Sequence, residues 1–105
     1  MEKFVFIYHG GPKFESAEDG RAHMQRWMAW MESISVALID RGLAVGKSRT
    51  AGPDGIRNDG GTNPVSGFSV IQAKHFDAAL EMASNSPHVL AGGSIEVAPV
   101  MNMSM

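Results

Sequence analysis

The chain contains no cysteine, so neither disulfides nor thiolate chemistry takes part in its folding or function. No stretch approaches the about eighteen consecutive apolar residues that a bilayer-spanning helix needs, so no membrane segment is expected. There is no basic run and no basic helix face. With nine basic and eleven acidic residues, and a net charge of -2, the chain carries no electrostatic footprint for nucleic acid. No His-x-x-x-His or His-x-Glu spacing occurs, so no local metal motif is present and neither a metal nor a cofactor is expected. A Gly-x-Ser-x-Gly elbow is also missing. The opening segment, Met1 to Tyr8, is too short for a signal-peptide apolar region and has no small-residue cleavage site. Together with the missing cysteines, this gives a cytoplasmic protein as the expectation.

What is present fits one domain over residues 1–105. The C-terminal third reads strand, helix, strand. Val65 to Ala73 has a continuous apolar centre, Phe76 to Ala83 is a short helix, and Ser94 to Val100 alternates apolar and polar residues with period two. The first half repeats the theme. Lys3 to His9 is nearly all apolar or aromatic, as in a central strand covered on both faces, and Gly10-Gly11-Pro12 ends it. Ser16 is placed to cap the next helix, with Glu18 and Asp19 in its first turn. Gly20 interrupts that start, so a regular helix is expected from Arg21 to Arg41. Its apolar stripe is Met24, Trp27, Met31, Ile34 and Leu38, and Gly42 supplies the C-cap. Leu43 to Thr50 reads as the second strand. Ala51 to Pro64 reads as a long loop rich in turn signals, of a length that is usually functional or disordered. Eight methionines suit irregular packing or a subunit contact better than a ligand role.

The order is therefore β-α-β-β-α-β. Two interleaved right-handed crossovers give a ferredoxin-like α+β fold, a four-stranded antiparallel sheet with both helices on one face. The other face needs cover that a chain of this length does not supply. A homodimer through the open sheet face is the expected solution, forming a dimeric α+β barrel.

Several segments carry a family resemblance. They are Phe4-Val5-Phe6-Ile7-Tyr8, Arg41-Gly42-Leu43-Ala44-Val45-Gly46, Ser66-Gly67-Phe68-Ser69-Val70, Ala78 to Ala83 with Pro87, and Gly93 to Val100. In this order the chain resembles the YCII-related family, in the branch called DGPF-domain proteins. That resemblance implies a ferredoxin-like fold paired into a dimeric α+β barrel. The signature Asp-Gly-Pro-Phe is reduced here to Asp59 and Gly60 within Asn58-Asp59-Gly60-Gly61. The family also implies a histidine–aspartate pair. Asp40 matches the aspartate, but the histidine position falls near Met31, and His23 lies about two turns earlier.

Four histidines are the candidates for chemistry near neutral pH. His9 ends the first strand beside two glycines. His23 shares a helix edge with Trp27 and Trp30. His75 reads as a cap-region residue, and His88 has no acidic neighbour in sequence. The expected site is a pocket between the sheet and the long helix. Its catalytic candidates are His9, His23 and Asp40, and its ligand-binding candidates are Tyr8, Trp27 and Trp30. Two functions follow. One is an enzyme using histidine general acid–base chemistry on a small metabolite. The other is a non-catalytic ligand-binding or accessory interaction domain.

Overall fold

The structure is a computed structural model and describes residues 1–102. The tail at 103–105, which the sequence leaves unassigned, lies outside the described residues. The elements are β1 (Glu2–His9), α1 (Ala17–Ser33), β2 (Leu38–Ala44), β3 (Thr50–Gly52), β4 (Gly55–Arg57), β5 (Val65–Ala73), α2 (Phe76–Ser84), α3 (Pro87–Leu90) and β6 (Ser94–Pro99). β2, β5, β1 and β6 form an antiparallel sheet in that order. This is the ferredoxin-like arrangement, with β1 and β5 at the centre.

Alternation along β1 decides where the core sits. Phe4, Phe6 and Tyr8 are buried beneath the helices, together with Ser69, Ile71 and Ala73 of β5. Phe4 packs on Phe76 of α2, and Phe6 stacks on Trp30 of α1. The opposite face carries Val5, Ile7 and His9. Ile7 lies opposite Phe68, and Val5 opposite Val70, and all are only half-buried.

Helix α1 starts where its cap predicts. The Ser16 hydroxyl oxygen accepts from the Asp19 backbone N–H at 3.1 Å, and the helix runs regularly through Gly20. Its end differs from the expectation. The helix stops at Ser33, not Arg41, with Ile34 as the cap. Residues 38–44, expected as the last helical turn and the start of a strand, are β2. The run from Ser33 to Ile39 mixes serines with the β-branched Ile34, Val36 and Ile39, which weakens a helix. The Ser33 hydroxyl bonds back to the Trp30 carbonyl at 2.6 Å. Pairing with β5 is the competing state that wins, because the Gln72 N–H donates to the Ala37 carbonyl just as β2 begins.

Gly42 is therefore not a helix cap. It sits in a strand irregularity at φ +74°, where a side chain would run into the Phe68 carbonyl. The expected loop from Ala51 to Pro64 contains a short hairpin, β3 with β4, turned by Gly52-Pro53-Asp54-Gly55.

Candidate functional site

A cavity of about 420 Å³ opens between the stretch of α1 from His23 to Met31, the glycine-rich loop after β1, α3 and the edge where β2 meets β5. This is within the size range of small-molecule sites. Tyr8 forms part of its wall. The Tyr8 hydroxyl lies 2.8 Å from the Ser69 hydroxyl oxygen, and Ser69 donates to the Arg41 carbonyl at 2.7 Å. Serine has one hydroxyl proton, so Tyr8 must be the donor to Ser69. Burial raises the Tyr8 pKa, and the Ser69 bond offsets that in part. Tyr8 is therefore a neutral phenol whose proton is already committed. Trp27, on α1, meets Tyr8 edge-on with ring centres 5.2 Å apart.

His88 enters from α3. Ser86 caps this short helix by accepting from the Val89 N–H, and Pro87 occupies its first position. The residue is 6% exposed. It stands edge-on to Tyr8 at 5.4 Å and to Trp27 at 6.2 Å. Its Nε2 lies 2.9 Å from the His9 backbone carbonyl. A carbonyl only accepts, so Nε2 carries a proton and the neutral ring has its lone pair on Nδ1. Glycine at 93 makes room for this ring, since a Cβ there would lie 2.5 Å from Nε2.

His23, on α1, lines the same cavity beside Phe14, their ring centres 5.3 Å apart. Its pKa is lowered, first by loss of water around the ring and then by the charges of Arg26 and His88. Arg41 also lines the cavity. Met24, Met28 and Leu43 line it too, and each is more than half exposed.

The structure thus brings Tyr8, His23 and Trp27 together and leaves the other three expected residues outside. His9 follows Tyr8 on a strand, so its ring points to the opposite face of the sheet. There Nε2 lies 3.0 Å from Glu96 Oε1, and Nδ1 lies 3.3 Å from the Pro64 carbonyl. His9 reaches the pocket through its backbone carbonyl. Trp30 is buried in the core between Phe6 and Trp27. Asp40 is an exposed strand residue, not a last-turn helical one. Its carboxylate accepts from the Gly42 N–H at 2.8 Å, which stabilises the irregularity in β2. His75 caps α2 by accepting from the Ala78 N–H.

Two residues were missed by the sequence reading, His88 and Arg41. One signal pointed to His88. The pairs Gly10-Gly11 and Gly92-Gly93 mark places where backbone is closely approached, and Gly11 and Gly93 flank the His88 ring.

The fold and cavity define a ferredoxin-like α+β chain with a ligand-sized pocket under its long helix. No family model matches the chain, and no curated protein sequence matches it. Among solved structures it is similar to 5-chloro-2-hydroxyhydroquinone dehydrochlorinase from Burkholderia phenoliruptrix, solved in complex with 2,5-dihydroxybenzoquinone. The TM-score is 0.58 and the identity 16%, over 93% of each chain. At that identity the likeness concerns the fold.

Proposed function

We propose that the chain is a small-molecule enzyme that uses histidine acid–base chemistry on an aromatic or enolic metabolite. The observation that carries this reading is the convergence of two imidazoles, His23 and His88, on one mostly apolar cavity with a buried tyrosine. His88 has the lone pair a base needs, and His23, its pKa lowered, is held toward the neutral form. Tyr8 and Trp27 offer ring faces and edges to a flat ligand. The dehydrochlorinase with the similar fold acts on a hydroxylated ring and was solved with another one bound, which fits a ligand of that class. His9 and Asp40 contribute from outside the cavity, by holding the His88 ring and the β2 edge respectively.

The reading includes a homodimer through the open sheet face, supported by the facing pairs Ile7 with Phe68 and Val5 with Val70. Among the described residues no helix is long and apolar enough to cross a membrane.

The test is a panel of hydroxylated benzenes and benzoquinones, followed by absorbance and mass spectrometry. Turnover of at least one compound is expected, falling by about 10²–10⁴-fold in His88→Gln. Binding without conversion of any compound would instead make this a non-catalytic binding domain.

A further inference from the structure

The directions of the hydrogen bonds around the cavity determine which atoms remain for a ligand. His88 Nε2–H is committed to the His9 carbonyl, and the Tyr8 proton to Ser69. His88 Nδ1 has no partner among the described residues. It faces the loop after β1, where a Cβ on Gly11 would lie 3.7 Å away. The ring can therefore receive a proton at Nδ1, but a buried imidazolium needs a counter-charge. No carboxylate lines the cavity among the described residues; Arg41, an exposed residue whose carbonyl accepts from Ser69, is the lining residue with a fixed positive charge. His23 nearby adds a second group of the same sign when protonated. Among the described residues lining the cavity, none offers a potential imidazolium a counter-charge, and the missing negative charge has to come with the ligand. An acid does this in one step, because it delivers the proton and stays behind as the anion. The aromatic walls of Tyr8, Trp27 and Phe14 select for a flat one.

We propose that the pocket takes an acidic phenol or enol, that His88 Nδ1 accepts its hydroxyl proton, and that the oxyanion is held against Arg41. This rests on the reading of the same cavity as the functional site. In the step, the ligand O–H bond breaks and an Nδ1–H bond forms. The electron pair stays on the oxygen and spreads into the ring, and nothing is oxidised or reduced. The outcome is an ion pair in a cavity to which the described residues add no negative charge, with the Arg41 guanidinium, at the exposed rim, reaching in as the second contact to the oxyanion.

The experiment uses the full chain with its histidines labelled with ¹⁵N, and 4-nitrophenol as the probe. Its visible absorption reports ionisation directly. In the free protein, above the histidine titration range, His88 is expected as the Nε2–H tautomer. On saturation with 4-nitrophenol, at a pH below the phenol's own pKa, both His88 nitrogens should become protonated and the bound probe should absorb as phenolate. Arg41→Gln, a surface change that spares the core, should weaken binding by about tenfold. The methyl ether 4-nitroanisole, which has no proton to give, should leave His88 neutral. A saturated complex in which His88 stays neutral overturns the proposal, as does failure of the probe to bind. Ionisation of the probe with no turnover of any hydroxyaromatic would keep this assignment and remove the enzymatic reading. Turnover with His88 neutral throughout would do the reverse.

Discussion

Two side chains around the cavity carry the residue-scale predictions. Ser69 is fully buried, and it receives the Tyr8 proton while giving its own to the Arg41 carbonyl. Ser69→Ala leaves both neighbours without a partner, at a cost of about 1–3 kcal/mol each at most. Urea unfolding should show a loss of that order, and Tyr8→Phe combined with it should cost less than the sum, since the two share one bond. His23 gives a pH prediction. Its pKa lies below the ordinary value of 6.5 in the folded chain, so between the two values the unfolded chain binds the extra proton. Stability from His23 is then complete above about pH 6.5 and declines as pH falls through the lower folded value. Proton NMR should show the His23 midpoint below 6.5, moving upward in His88→Gln because one of its repelling neighbours is gone. A midpoint unchanged by that substitution would mean the two rings do not sense each other.

At the scale of elements, the sequence was legible where a local rule and the tertiary structure agree. Apolar runs located β1 and β5, period two located β6, Ser16 marked the start of α1, and Phe76 to Ala83 marked α2. It misled where the two conflict. Ile34, Ala37 and Leu38 continue the helical stripe of α1, but the edge of β5 claims the chain from Ala37 onward. Gly42 looks the same whether it ends a helix or relaxes a strand, since both uses need a positive φ. The candidate site was partly legible for a related reason. Residues on one helix, His23 and Trp27, share a face by spacing alone. His88 sits on a four-residue helix too short to show a period, and its partner is a backbone atom that no side-chain pattern reveals. Period two should also have separated Tyr8 from His9. Among the described residues the strands of the β3–β4 hairpin pair with each other and not with the main sheet. Replacing residues 50–57 by a short glycine linker should change the thermal midpoint by no more than a few degrees, as measured by circular dichroism. A large drop would show that the hairpin is part of the core's support.

The whole molecule is a thin slab, 19 Å across its short axis, the depth of a sheet plus one layer of helices. Val5, Ile7, Phe68 and Val70 occupy the uncovered side. With a partner on that side, Val70→Asp should convert a species of twice the 11.3 kDa chain mass to a monomer in sedimentation. The cavity, which Val70 does not line, should still bind 4-nitrophenol. A wild-type chain that sediments as a monomer at micromolar concentration would remove the dimer from the account.

His9 has one group on each side of that slab. Its ring is tied to Glu96 and the Pro64 carbonyl on the open face, and its carbonyl holds the His88 proton beneath the helices. The sheet at this point is a membrane one peptide thick between two compartments, and His9 is the rivet through it. A partner that covered the open face and competed for Glu96 would pull on the same residue whose carbonyl orients His88. The proposed assembly and the proposed proton transfer would meet at this one residue, with no helix or loop needed to relay one to the other.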